Sequence, residues 1–230
     1  MITTAIPVRH AVTPPARPGV AVAETSRALD ALRRGAVARG DRSALFLSVY
    51  APCVRRLAEA ITARRLGDPA TAERVVVALA RRCIDALEGR DVGAWGMHQR
   101  LRINGSATDG RVLAEGFNAH LTVDLPAALR EAGATGAFDG DLQEIGRILV
   151  EETARVVRSP ADAFEERASG AILGTPALQD LTAIFGDRPV MGTAFSLLLR
   201  EALAQSSLGV PALTRLAALH RSLVVAQWYR

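Results

Sequence analysis

The sequence contains no lysine and few aromatic residues. All 28 basic residues are arginine, and with 24 acidic residues the formal net charge is only +4. Because guanidinium groups stay protonated below about pH 12, the basic pI reflects the type of residue rather than a large excess of charge. The arginines alternate with acids and the aromatics are scattered, whereas nucleic-acid surfaces cluster basic and aromatic side chains. Nucleic acid is therefore not the expected partner.

Cysteine spacing and hydropathy exclude further classes. Cys53 and Cys83 do not form a C-x-x-C pair, so neither a zinc ribbon nor a thioredoxin-like site is expected. The longest apolar run, Val75–Ala80, is far shorter than the roughly 20 residues of a membrane-spanning helix. Prolines and arginines interrupt the first 22 residues, which argues against a signal peptide. The sequence predicts a cytoplasmic protein without a membrane span.

Apolar residues recur with a helical period along almost the whole chain, and no window alternates as a strand would. Residues 1–22 contain four prolines and are expected to form an extended or partly disordered arm. Residues 23–230 are predicted to form an all-α, single-domain bundle of about eight to nine helices. The longer helices are expected at 24–39, 44–66, 69–87, 110–124, 141–158, 190–208 and 211–229, with a long loop at 88–109 that holds a short helix.

The most informative segment is residues 116–126, GFNAHLTVDLP. His120 and Asp124 continue an apolar helical stripe and stand four residues apart, within contact distance on a helix. A carboxylate that binds one imidazole nitrogen fixes the tautomer and raises the basicity of the other, as in general bases and metal ligands. Asn118 lies on a different face and would bind a ligand only if the helix is surrounded.

A purely structural interpretation of the same residues is also open. The Leu125–Pro126 pair disfavours helix continuation at Leu125. Asp124 would then be the N-cap of a new helix at 125–132. His120 would be a core histidine bonded to a backbone carbonyl that the break releases.

Glu152 is a second acid in an apolar stripe. The stripe consists of Leu142, Ile145, Leu149, Glu152 and Val156. A lone buried charge is costly, so it should be paired, exposed at a cavity or protonated. Glu151 is expected to pair with Arg155 at the surface, which leaves Glu152 for the interior. Together with His120 and Asp124 it has the ligand types for a divalent metal or an acid/base pair, with His98 or His220 as a further candidate ligand.

The Asn118-Ala119-His120 tripeptide followed by Asp124-Leu125 resembles the N-A-H-x-x-x-D-L signature of the bacterial domain-of-unknown-function family 5995. The stretch 46–50, the helix 78–87 and Trp95 support the resemblance, which covers roughly residues 42–205. It implies an all-helical single domain in which Asn118, His120 and Asp124 are functional, and it implies no established activity.

Two positions depart from that family's pattern. Cys83 and Leu203 stand where aromatic residues are expected, which indicates a reshaped pocket. The H-x-x-x-D pair is also similar to part of the zinc-dependent phospholipase C and P1-type nuclease motif. The further histidines and the N-terminal tryptophan of that motif are absent, so the similarity concerns geometry alone.

These observations predict a small-molecule enzyme without a redox cofactor, in which His120 is the general base or acid, Asp124 orients it and Glu152 is the complementary acid. The expected substrate is apolar, polyketide- or lipid-like, and is cyclised, isomerised or hydrolysed in a cavity between helices. Side chains expected to contact it are Phe117, Tyr50, Trp95 and His98. The alternatives are a metal-dependent hydrolase that uses His120, Asp124 and Glu152, and a non-catalytic helical binding protein. The long C-terminal helices would suit a homodimer.

Overall fold

The computed structural model describes residues 19–174, and within this range it contains eight α-helices and no strand. The helices are α1 (Val20–Ala38), α2 (Ser43–Thr62), α3 (Pro69–Leu87), α4 (Gly96–Ile103), α5 (Asp109–Ala119), α6 (Leu125–Glu131), α7 (Asp139–Arg158) and α8 (Ala163–Gly174). The predicted all-α bundle is confirmed. The arm at 1–18 and the helices expected after residue 174, with Leu203 and His220, lie outside the described residues.

Helix α2 occupies the centre of the bundle. It packs against α1, α3, α5, α7 and α8, and nearly all of its residues are buried. The reason is a run of twelve residues without a charge, from Ser43 to Val54. The helix continues through Pro52 and ends at Thr62, four residues earlier than predicted, before Arg64 turns the chain with a φ of 54°. Even so, none of the described helices is long and apolar enough to cross a lipid bilayer.

The start of α3 follows a local capping signal. Helix α3 begins at Pro69 as predicted, and the Asp68 side chain accepts a hydrogen bond from the Thr71 N–H at 3.0 Å. The buried Asp141 carboxylate accepts from the backbone N–H groups of Gly67 and Asp68, both at 2.6 Å, which ties the start of α7 to the start of α3. Helix α1 begins at Val20 rather than at 24, so the predicted boundary of the arm falls inside a helix.

The irregular stretch at 88–109 contains a 3₁₀ turn, Gly93–Trp95, followed by α4. The predicted short helix is therefore confirmed. Trp95 is 1% exposed, so this loop is anchored in the core by its largest side chain.

Candidate functional site

The chain from Asp109 to Glu131 is helical without a break, but its hydrogen bonding changes at His120–Asp124, which form a π-helical turn between α5 and α6. The Leu125 N–H donates to the His120 carbonyl five residues back. Pro126 has no N–H, and a proline ring crowds the carbonyl four residues before it, so the wider turn replaces the predicted break. The Asp124 side chain makes no capping hydrogen bond, which contradicts the N-cap interpretation. Such π turns occur frequently at functional sites.

Asp124 is held by a residue far away in sequence. Its carboxylate is buried, and Oδ2 accepts a hydrogen bond from the Trp95 indole Nε1–H at 2.7 Å. His120 Nδ1 lies 3.9 Å from the same oxygen, which is too long for a hydrogen bond. The two predicted partners are therefore adjacent, as expected, but the predicted imidazole–carboxylate bond is not formed. The Trp95 indole is the hydrogen-bond donor to Asp124 instead.

Burial in this setting raises the pKa of Asp124 to about 6. The Trp95 hydrogen bond and the Arg82 charge act in the opposite direction, and the Asp91 charge adds to the increase. The carboxyl group is therefore half-protonated near pH 6, which is close to neutral.

His120 is 3% exposed, and neither of its ring nitrogens has a hydrogen-bond partner among the residues that the structure describes. Burial lowers its pKa to about 3, so the imidazole is neutral at pH 7. Its ring packs edge-on against Tyr50, with centroids 4.2 Å apart, and the Tyr50 hydroxyl is also buried without a partner. A core histidine bonded to a free carbonyl was the structural expectation, and no such bond exists. Each buried polar group left unpaired costs about 1–3 kcal/mol. Such groups are rare in a hydrophobic core, so two of them side by side are more typical of a functional site.

Aromatic rings that are scattered in sequence converge around Phe46 of α2. The rings of Tyr50, Trp95, His98, Phe117 and His120 surround it at centroid distances of 5.1–6.5 Å. All four residues predicted to contact substrate thus belong to one cluster. Its central member, Phe46, was not predicted as a site residue, since a phenylalanine in an apolar helix reads as core.

Gly116 lets α5 approach this cluster closely. A Cβ atom at position 116 would lie 2.9 Å from Phe46 Cδ2 and 3.2 Å from His98 Nδ1. The His98 Nδ1–H donates to the Val112 carbonyl at 2.9 Å, and burial lowers the His98 pKa to about 4. The glycine four residues before His120 was the sequence signal for this close packing.

A cleft of about 200 Å³ opens beside Asp124. Its charged and aromatic lining consists of Arg81, Arg82 and Asp85 from α3, Asp91 and Trp95 from the loop, and Asp124 and Glu131. Among the predicted site residues, only Asp124 and Trp95 line it. The charged walls do not support the apolar substrate that the sequence suggested. Arg82 and Asp91 were not predicted, because nothing in the local pattern separates them from other surface charges.

Glu152 lies in a different place and has a different environment. It lines a second cleft of about 470 Å³ with several arginines, and this cleft does not include Asp124. Glu152 Oε1 accepts from Arg155 Nε at 2.6 Å, and Oε2 lies 4.0 Å from Arg56 Nε. Glu151 pairs with Arg147 at 2.6 Å. The predicted pairing of Glu151 with Arg155 is wrong. Arg155 binds the buried Glu152 instead, and the exposed Glu151 pairs with Arg147 one helical turn earlier.

The residues between 19 and 174 contain no group of three His, Cys, Asp or Glu side chains that could hold a metal ion. The predicted ligand set of His120, Asp124 and Glu152 is therefore not assembled there. His98, the further candidate, is bonded to a backbone carbonyl through Nδ1. Asn118 is buried with Nδ2 3.5 Å from Glu115 Oε2, and it is not part of the cleft beside Asp124.

Comparisons with known proteins identify a family but no function. No curated protein and no solved structure shows significant similarity to the chain. A family of unknown function, DUF5995, matches residues 22–187, which is well over half of the sequence and includes the π turn and the loop that holds Trp95. The resemblance seen in the sequence is confirmed, and the chain belongs to the family of unknown function DUF5995.

Proposed function

We propose that the chain is an acid/base enzyme that acts on a small polar molecule in the cleft beside Asp124 and needs no redox cofactor. The observation that carries this proposal is the position of Asp124, whose buried carboxyl group borders the cleft and is oriented by the Trp95 indole. A buried acid held by one neutral donor is poorly stabilised as a structural element.

The chemistry of this carboxyl group suits proton transfer. General acids and bases work best when their pKa lies near the operating pH, and burial brings the pKa of Asp124 to about 6. The indole engages Oδ2, while Oδ1 has no hydrogen bond to any described residue and is the atom that we assign to the substrate. Proton transfer of this kind serves isomerisation, cyclisation and hydrolysis alike.

His120 is the expected second participant. Its neutral ring has Nδ1 at 3.9 Å from Asp124 Oδ2 and no other polar partner between residues 19 and 174. Catalytic hydrogen bonds are often long before the substrate binds and shorten in the complex. A small shift of Asp124 on binding would therefore give the imidazole its missing partner.

The test is a comparison of wild type with Asp124→Asn in a mixture of polar small metabolites analysed by mass spectrometry. Wild type should consume a compound that Asp124→Asn converts at least about 100-fold more slowly, since positioned acid/base groups contribute roughly 10²–10⁴-fold. Asp85→Asn is the matched control, because Asp85 lines the same cleft but is bound by Arg90. Equal conversion by wild type and Asp124→Asn would refute the proposal, and binding without turnover would indicate a binding protein instead.

A reducing cytoplasmic location is part of the proposal. Cys53 and Cys83 are buried free thiols, and neither belongs to a disulfide. A homodimer also remains a prediction, and light scattering of the purified chain would test it.

A further inference from the structure

We infer that Asp91 is the second carboxyl group of this site, and that it faces Asp124 across the cleft so that one acid donates a proton to the substrate while the other accepts one. This inference rests on the proposed function. It adds a second residue and gives the two acids separate roles in proton transfer.

The two carboxyl groups share one small space but differ in burial. Both line the cleft of about 200 Å³, so a small substrate between its walls would be within reach of both. Asp124 is 7% exposed and comes from the π turn, whereas Asp91 is exposed and comes from the loop before α4. Burial raises the pKa of Asp124, so Asp124 is suited to donate a proton, which leaves the accepting role to Asp91.

The loop that presents Asp91 is the one that orients Asp124. The Trp95 N–H donates to the Val92 carbonyl at 2.6 Å and closes the 3₁₀ turn, while the Trp95 indole bonds Asp124. Asp91 Oδ1 lies 3.4 Å from the position that a Cβ on Gly93 would take, so the carboxylate folds over that glycine. A single short segment therefore fixes one acid and carries the other.

The remaining acids of the cleft are already bound. Asp85 accepts from Arg90 at 2.5 and 2.8 Å, and Glu131 accepts from Arg82 at 2.9 Å. Asp91 makes no ion pair with any residue between 19 and 174. Its carboxylate can therefore act on the pKa of Asp124 and can bind a ligand.

The groups packed around Asp124 leave few other charges to act on it. From α3, Arg82 lowers the Asp124 pKa, and from the loop Asp91 raises it. His120, Tyr50 and Cys83 are uncharged at neutral pH, because burial lowers the pKa of the imidazole and raises the pKa values of the hydroxyl and the thiol.

The pair defines how protons move. Asp124 gives its proton to the substrate atom that becomes more basic as its bond breaks or shifts. Asp91 accepts a proton from an attacking water or from a substrate O–H or C–H on the other side. One proton enters the substrate and one leaves, and exchange with solvent restores both acids without any oxidant or reductant.

Carbon-13 NMR titration of the aspartate carboxyl groups tests this inference without a substrate. Asp91→Asn should lower the Asp124 pKa by about half a pH unit, which is the effect of removing one charge across a small cleft. The matched control Asp85→Asn, whose carboxylate is paired with Arg90, should shift Asp124 by less than half as much.

The possible outcomes separate the two proposals. An Asp124 pKa that Asp91→Asn leaves unchanged or raises, or that Asp85→Asn shifts equally, overturns the role of Asp91 while Asp124 keeps its own. An Asp124 pKa near the ordinary value of 3.8 in wild type overturns the proposed function itself.

Discussion

Asp124 and Glu152 are both buried acids on apolar helical stripes, but they have different hydrogen-bond partners. Each stands in an apolar helical stripe, and their exposed fractions are 7% and 6%. Glu152 is bonded to Arg155 and approached by Arg56, so a positive charge compensates its own. Among residues 19–174, Asp124 accepts its hydrogen bond from the neutral indole of Trp95 and forms no close ion pair with an arginine. The helical stripe predicts that an acid is buried. The charge of its partners then determines whether the acid is stabilised as an anion.

The largest effect that sharpens this comparison is expected at Glu152. Glu152→Gln should lower the free energy of unfolding by about 2–3 kcal/mol, since it removes the charge-assisted hydrogen bond between the buried carboxylate and Arg155. Arg155 is partly exposed and keeps its 3.4 Å contact with Glu165, so its own charge stays compensated in the variant. Urea unfolding measures it.

The matched control is Glu151→Gln on the next position of the same helix. Glu151 is exposed and pairs with Arg147, and pairs of this kind contribute less than about 1 kcal/mol. Equal losses for the two variants would show that the Glu152 pair is not a buried structural contact.

A smaller loss is expected on the Asp124 side from Gly116→Ala. The added Cβ would crowd Phe46 and His98, and overpacking of a core typically costs about 1–3 kcal/mol. The near-ultraviolet dichroism of the Trp95 region should change as well. Gly140→Ala is the control, because a Cβ there meets nothing within 4 Å. A neutral Gly116→Ala would contradict the close packing of α5 described above.

The smallest effects are expected at the two buried histidines, and they should differ in sign. His120→Leu should leave stability unchanged or raise it by about 1 kcal/mol, because it removes unpaired polar atoms from the interior. His98→Leu should lower stability by about 1 kcal/mol, because it removes the bond to Val112. Thermal unfolding of both variants decides the matter, and a clear loss for His120→Leu would mean that its nitrogens do have partners.

Local signals were sufficient for most of the fold but only for part of the site. Helical periodicity and the Asp68 cap predicted α3 correctly, because both act within a few residues. The π turn was read as a break, since whether a helix absorbs Pro126 depends on the room around it. The Trp95–Asp124 bond joins positions 29 residues apart, and no local pattern contains it. Asp91 was missed for the same reason.

The most direct test of the central claim is the difference in unfolding free energy between Asp124→Asn and wild type as a function of pH. In the folded protein the pKa of Asp124 is about 6, against an ordinary value of 3.8. Below about pH 3 the carboxyl group is protonated in both folded and unfolded states and its burial adds no charge penalty; above about pH 6 the folded state must bury the charge. Asparagine keeps an oxygen for the Trp95 indole and carries no charge.

Asp124→Asn should therefore match wild type near pH 3 and exceed it above pH 6, by at most about 3 kcal/mol for a shift of this size. A difference that grows between pH 4 and 6 and then levels off is the result that the account predicts. An Asp124→Asn variant that is less stable than wild type at pH 8, or a difference that does not change with pH, would contradict it.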